Sequence, residues 1–501
     1  MIISDNSISP PGEIVGERIS KMEVKNDLFQ FKIDGWCVWP LLRFPVYQSL
    51  AKLPLITKDS IPRLDKLSFG IKEIVKLLSL RKARFFIKTY SSAKGELEGE
   101  LYKDHIFDDF LIDIGSFFKV EALNNNKLLF TNKNSLIKSD LTTSFIELIS
   151  FLPIRFSVPR RLLKLGSILS GCLQKEPGLE MFTSEIVTDI LLQFFWSKRL
   201  YGWLLRRILP EYVLVADSGE YMIAAAAKEL GIKVIELQHG FGLSSGYHPS
   251  YWWPPYASAY KDSMPIPDRI FLYGEHSREK LRISGFWGND LRVVGSVRLD
   301  QYREIKKNQK VKHNSKCSIV LTTQGLDTER LAAFVADFLK IANREKFYLY
   351  IKLHPAYETS KVLYKSAVNK DERVSVILGS ERPSTYKLLT QADIHVSISS
   401  SCHYEALGLG VPTVILPMAT HELALPLYEK GLAFLAQSPK DLLDIILECR
   451  NYTVPNEVSE WFFKSGAMNN IKRELGILSN RSVHQETGYL KAIKNSMANA
   501  Q

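Results

Sequence analysis

EYVLVADSGEYMIAAAAKELGIKVIELQHG, residues 211–240, decides how the rest of the chain is read. It opens with EYVLVAD (211–217), a short apolar run that ends in Asp217. SGEYMIAAAAKELG (218–231) follows, rich in alanine, the best helix former, and closed by Gly231, a residue that tolerates the left-handed backbone of a helix stop. IKVIELQHG (232–240) is a second apolar run, ending in Gln238, His239 and Gly240. Strand, helix and strand within about 30 residues predict a β-α-β unit and hence a parallel sheet. Polar side chains at the end of a buried strand are costly to bury and cheap to expose. Asp217, Gln238 and His239 are therefore expected to border a cleft, since ligands of open α/β sheets bind beyond the carboxyl ends of the strands.

The alternation continues outward. DRIFLYG (268–274) and LRVVGS (291–296) read as strands, with HSREKLRISG (276–285) as the helix between them. A polar run at 303–316 separates these from CSIVLTTQG (317–325), KFYLYIKLHP (346–355), RVSVILG (373–379), DIHVSIS (393–399) and VPTVILP (411–417), all strand-like. TERLAAFVADFLKIANR (328–344) and SSCHYEALGLG (400–410) read as helices. Upstream, IDGWCVWPLLRF (33–44) reads as a strand turning into a helix, ARFFIKTY (83–90) as a strand, and 184–209 as a long amphipathic helix. The expected fold class is α/β, with two Rossmann-like doubly wound domains facing a central cleft. The expected divisions are a polar lead at 1–24, an N-terminal domain at 25–262, a C-terminal domain at 263–450 and a helical tail at 451–501.

Composition narrows the function classes. The 501 residues are 46% hydrophobic and 24% charged, ordinary for globular domains that bury a core. Five scattered cysteines without a CxxC pair argue against a disulfide framework or a zinc site and for a reducing compartment. The polar N-terminus lacks a signal-peptide core, and no run of about 18 uncharged apolar residues is present, so a cytoplasmic protein is expected. HExxH, GxxxxGK[ST] and a post-strand GxGxxG are absent, which removes metalloprotease, P-loop NTPase and NAD dehydrogenase readings. The net charge is +11. Basic and apolar residues mix at 76–88 (KLLSLRKARFFIK) and 151–169 (FLPIRFSVPRRLLKLGSIL), a pattern that fits either core-covering helices or peripheral contact with the inner face of an acidic membrane. Nucleic acid is not an expected partner, for want of a zinc knuckle, an RNP-type motif or a long basic run.

Five constellations carry candidate chemistry. Lys352, His354 and Pro355 end a strand, where the imidazole can meet a phosphate. Ser399, Ser400 and Ser401 stand at the start of a short helix, with Glu405 one turn inside to accept ribose hydroxyls and Gly408 and Gly410 closing it. Gln238 and His239 lead into a loop with Tyr247, Tyr251, Trp252 and Trp253, whose rings can stack on sugar faces. His239 can act as a base or as a donor to a leaving phosphate. Asp217 is either a helix cap or a carboxylate acting as base or nucleophile. Asp108, Asp109 and Asp113 can orient an acceptor hydroxyl or line a solvated helix face.

Glu236-Leu237-Gln238-His239-Gly240, His248, PDRIFLYGEHSREKL (267–281) and VVGSVRLD (293–300) resemble bacterial capsule and lipopolysaccharide glycosyltransferases of GT-B-like fold, over about 211–417. His354-Pro355 followed by the serines at 399–401 is similar to the CMP-binding motifs of bacterial sialyltransferases and Kdo transferases. The resemblance implies transfer of a sugar, Kdo from CMP-Kdo first, onto a surface polysaccharide or lipid-linked glycan. Asp217, His239 and Gln238 would form the catalytic group. Lys352, His354, Pro355, Ser399–Ser401 and Glu405 would bind the donor. His248, Tyr251, Trp252 and Asp109 would serve the acceptor. The implied division makes the N-terminal domain the acceptor side and the C-terminal domain the nucleotide-sugar side, with no metal and no cofactor beyond the donor. A UDP-sugar or CDP-polyol donor, and a non-catalytic glycan- or partner-binding role, remain the alternatives. The sialyltransferase D/E-D/E-G acceptor motif is not cleanly present.

Overall fold

The computed structural model describes residues 11–52, 73–96 (without 74, 78 and 79), 102–122, 135–146 (without 145), 159–240, 248–309, 316–342, 346–449 (without 356) and 452–477. β1 (Lys32–Ile33) and β2 (Trp36–Cys37) form a small antiparallel hairpin ahead of the helix Trp39–Leu50. β3 (Phe85–Tyr90) is followed by an antiparallel ribbon of β4 (Lys94–Glu96) and β5 (Tyr102–Asp104). Next come β6 (Phe117–Ala122), β7 (Leu141–Thr142), β8 (Tyr212–Val215), β9 (Lys233–Leu237), β10 (Arg269–Leu272) and β11 (Leu291–Val293). The first large sheet is parallel throughout, in the order β11-β10-β9-β8-β3-β6-β7.

The second sheet is built from β12 (Cys317–Thr322), β13 (Phe347–Lys352), β14 (Val374–Ile377), β15 (Ile394–Ser397), β16 (Thr413–Ile415) and β17 (Phe434–Leu435). Its order is β14-β13-β12-β15-β16-β17, again all parallel. In both sheets the chain starts in the middle, runs to one edge, then returns and builds the other half. That is the Rossmann-like doubly wound order, and it leaves a crevice where the direction reverses: between β3 and β8 in the first sheet, between β12 and β15 in the second. The fold is thus α/β with two Rossmann-like domains.

The central strand β8 is a continuous apolar run, YVLV, whereas β14 (VSVI) and β15 (IHVS) alternate. Val213, Leu214 and Val215 are fully buried, and each such side chain contributes about 1.5–3 kcal/mol relative to exposure. The helix Ser184–Ile208 is capped by Thr183, whose hydroxyl accepts the Ile186 N–H, and ends where Leu209 turns left-handed at φ 55°.

Four boundaries differ from the sequence expectation. β10 and β11 pair onto β9 and so belong to the first sheet, which moves the domain junction from 262/263 to the far side of β11. Of the expected 1–24 lead, residues 1–10 lie outside the described residues, and the remainder is not loose: the helix Pro11–Asn26 buries Ile19 and Met22 and places Glu23 in the core. The polar run from 303 is helical through its first part, in the helix Val297–Asn308. The tail crosses back to the first domain. The Lys464 N–H donates to the Tyr273 carbonyl at 2.8 Å, and Ile471 and Leu475 join a core with Leu214, Leu237 and Phe271. Gly274 permits this docking, since a Cβ there would lie 2.3 Å from the Trp461 and Phe462 carbonyl oxygens.

Candidate functional site

The carboxyl edge of the first sheet gathers charge. Lys88, on β3, donates to Glu220 at 2.8 Å, and the Tyr90 hydroxyl reaches the same carboxylate at 2.6 Å. Asp217 follows β8, and its Oδ1 accepts the Gly219 N–H at 2.7 Å. Burial raises the Asp217 carboxyl above its ordinary range, against the lowering influence of that N–H and of His239. Asp217 is therefore not the cap of the helix Tyr221–Glu229, whose N-cap is Glu220; it closes a turn on Gly219 and feels the charge of His239. Glu236, on β9, has no solvent exposure and accepts from the Tyr251 hydroxyl; burial drives its carboxyl well up. His248 is pushed down to about 4, chiefly by burial and then by His239, so it is neutral at physiological pH.

A cleft opens where the two domains meet, enclosing about 580 Å³ of solvent-connected space. His105, Gln238, His239 and Tyr273 line it from the first domain, and Arg298, Tyr386 and Glu405 from the second. Glu405 accepts from the Tyr386 hydroxyl at 2.9 Å; burial raises its carboxyl while Arg298 lowers it. The Arg298 guanidinium lies 3.9 Å from the Tyr386 ring centre, and its Nε has no hydrogen-bond partner among the described residues. His105 is held neutral, down to about 2, by burial and then by Arg298 and Lys103. Arg298 brings positive charge to this cleft, where it faces the Glu405 carboxyl and the neutral His105 imidazole.

Several predicted residues are occupied elsewhere. Gln238 lines the cleft, but its Nε2 donates to the Gly240 carbonyl at 2.9 Å and its Oε1 accepts the Tyr273 N–H at 2.8 Å. Its amide ties two strand ends together. Tyr251 and Trp253 are buried, and Trp252 is half-buried with its carbonyl on Arg43 at 2.6 Å, so the aromatic loop is no open stacking platform. Arg43 holds that loop from the core, ion-paired to Glu23 at 2.6 Å and bonded to the Pro249 carbonyl at 2.5 Å. Asp109 is not on a solvated face but buried, 2.5 Å from Lys103 Nζ. Asp108 pairs with Lys119, and Asp113 with Lys472 of the tail. Tyr247 lies outside the described residues.

On the second sheet, Lys352 donates to the Leu378 and Glu381 carbonyls at 2.8 and 2.5 Å, and burial lowers it to about 8. Its ammonium braces a loop rather than a phosphate. Pro355 packs on Gly379. The His354 ring stacks on Tyr357 with centroids 4.4 Å apart, and its Nδ1 accepts the Tyr357 N–H at 3.3 Å. Ser399 joins Thr420 at 2.6 Å, and its N–H donates to Gln324 Oε1 at 2.9 Å. Ser400 Oγ accepts the Cys402 N–H, and Ser401 is exposed before the helix Cys402–Gly408. Of the predicted residues, the cleft brings together Gln238, His239 and Glu405; Asp217 stands next to His239, while His354 and the serines do not line it. Arg298, Tyr273, Tyr386 and His105 were not anticipated. The one signal for Arg298 was its place just after a strand, beside Ser296, which caps the helix by accepting the Leu299 N–H. Among the described residues no group of three His, Cys, Asp or Glu side chains is arranged to hold a metal ion.

No known protein family matches the chain, and no curated protein does. Solved structures match distantly. The UDP-GlcNAc 2-epimerase of Methanocaldococcus jannaschii shares 15% identity at a TM-score of 0.47, over 78% of this chain and 99% of that one. The UDP-GlcNAc 2-epimerase of Neisseria meningitidis, bound to UDP-GlcNAc, shares 15% at 0.46 over the same fractions. The wall teichoic acid polymerase TagF shares 12% at 0.40, over 83% of this chain and 95% of that one. Likenesses this loose do not bear on which reaction the cleft runs.

Proposed function

We propose that the chain is a glycosyltransferase that moves a sugar from a nucleotide donor onto a glycan or glycolipid acceptor across the interdomain cleft. The observation that carries this reading is the opposition of Arg298 and Glu405 on the second domain to His239, backed by Asp217, on the first. Glu405 would accept ribose hydroxyls, and Arg298 would meet the donor phosphate, where a guanidinium is a strong, charge-assisted partner. Charge building on the leaving phosphate would be stabilised by that fixed cation without a metal. Asp217, raised by burial, is suited to accept a proton from an acceptor hydroxyl or to attack the anomeric carbon. His239 would orient it and share its charge. CMP-Kdo is the first donor to try, on the resemblance at His354-Pro355 and the following serines; a UDP-sugar fits the same surface about equally.

The test is nucleotide release from CMP-Kdo and from UDP-sugars, with and without surface-glycan acceptors, for the wild type and Asp217→Asn. Acceptor-dependent release that Asp217→Asn loses, at an unchanged melting temperature, is the expected result. Full activity in Asp217→Asn would move the chemistry elsewhere. Nucleotide binding without release from any donor would favour the non-catalytic, glycan-binding alternative.

A further inference from the structure

The helix Arg160–Leu173 is divided along its length. Leu162, Gly166, Leu169 and Leu173 are buried, and Gly166 lets it approach Ser184–Ile208 so closely that a Cβ would overlap the Thr188 side chain. The opposite face is solvent-facing. Leu163 and Ile168 are 48% and 42% exposed there, large for aliphatic side chains, with Arg160 and Lys164 between them and Lys175 just beyond the helix end. At about 100° per residue, Arg160, Leu163, Lys164 and Ile168 fall on one arc of the helix, and Lys175 lies in the turn that follows it.

The sixteen residues from 160 to 175 contain no Asp or Glu. Arg161 is held by Asp34 at 2.8 Å, whereas Arg160, Lys164 and Lys175 have no ion-pair partner among the described residues. The helix Pro11–Asn26 is tied to the segment just past this helix, through the Arg18 bond to the Pro177 carbonyl at 2.5 Å. The other basic-apolar stretch of the sequence has no such role in its second half, because Phe85–Lys88 is a buried central strand.

We infer that this face docks the protein on a membrane bearing anionic lipid headgroups. Unpaired cations draw the surface to acidic headgroups, and the flanking leucine and isoleucine enter the headgroup–acyl boundary. Unpaired cations beside exposed aliphatic side chains on one helix are the pattern of an interfacial helix, which a lipid surface accepts without a shaped pocket. The docking face lies on the domain that carries Asp217 and His239. The inference stands apart from whichever reaction the cleft runs.

The test is co-sedimentation of the full chain with vesicles of phosphatidylcholine alone and of equal parts phosphatidylcholine and phosphatidylglycerol. The wild type should bind only the anionic vesicles. The combined Arg160→Glu, Lys164→Glu and Lys175→Glu variant should lose roughly a hundredfold in apparent affinity, about fivefold per cation. Leu163→Ser with Ile168→Ser should weaken binding at unchanged charge. Lys307→Glu with Lys340→Glu, exposed lysines of the second half of the chain, should change nothing. All variants should keep the wild-type melting temperature and nucleotide affinity, which separates this surface from the cleft. Equal binding to both vesicle types, no binding to the anionic ones, or full binding by the charge-reversed variant overturns the inference. So does a wild type that ignores vesicles yet needs these three cations to bind an acidic protein.

Discussion

At the carboxyl edge of the first sheet, Lys88, Asp217, Glu220 and His239 collect charge around the β3–β8 switch point. At the β12–β15 switch point of the second, Ser397 is bonded to Thr322 and Ser399 to Gln324, while the Thr323 hydroxyl donates to the buried Glu358 carboxylate. The Ser397 hydroxyl donates to the Thr322 carbonyl at 2.7 Å. Behind them, His395 bridges Thr322 and Thr413 at 2.9 and 2.7 Å, and His403 shares Thr413 at 2.6 Å. Burial keeps both rings uncharged. One topology therefore supports two chemistries. The first edge holds groups that can exchange a proton, and the second is mostly hydroxyl and amide groups, its Glu358 carboxylate taken up by Thr323 and Tyr364. A ligand that brings its own negative charge is better received there than among the carboxylates of the first edge.

This contrast can be broken or sharpened by substitution. Asp217→Asn should lower kcat by about 10²–10⁴-fold with nucleotide affinity intact, the scale of a lost acid–base group; steady-state kinetics and calorimetry read the two separately. Arg43→Met should cost about 3–5 kcal/mol in denaturant unfolding, because it leaves the Glu23 carboxylate buried and unpaired.

The neutral histidines give the second edge a pH signature. His403 is lowered to about 4 from 6.5, so the unfolded chain takes up a proton over that window while the folded one does not. Its contribution is full above pH 6.5 and is lost as pH falls to about 4, by about 3 kcal/mol. His403→Gln should flatten the unfolding free energy against pH by that amount. Glu405→Gln should weaken nucleotide binding by roughly tenfold or somewhat more, the scale of a hydrogen bond to a charged group, and leave Asp217 chemistry intact. Lys352→Met should have the smallest effect at the cleft. It should cost stability, since two carbonyls lose their donor, while nucleotide affinity holds.

Much of the scaffold was legible in the sequence because buried parallel strands show as apolar runs, unbroken in EYVLVAD and alternating with His395 and Ser397 in DIHVSIS. Sheet membership was not. RIFL and LRV look like any other strand of the second series, and only their pairing onto β9 assigns them to the first sheet. The same limit governs the site. Strand alternation places Lys352 on a face but cannot say that its long side chain ends on the Leu378 and Glu381 carbonyls. The aromatic loop at 251–253 reads as a platform until Arg43, some 200 residues earlier, is seen to pull it into the core. Glu405 was found because it stands one turn into a helix after a strand. Arg298 stands at a similar place, but it follows a strand of the other sheet and reaches the cleft only through the packing of two domains.

The most direct measurement is calorimetric titration of CMP and UDP into the wild type, Arg298→Ala and Asp217→Asn. The account predicts that a pyrimidine nucleotide binds the wild type and Asp217→Asn alike and that Arg298→Ala loses most of that affinity. Binding that depends on Asp217 and ignores Arg298, or no nucleotide binding at all, would contradict the assignment of the donor to the second domain.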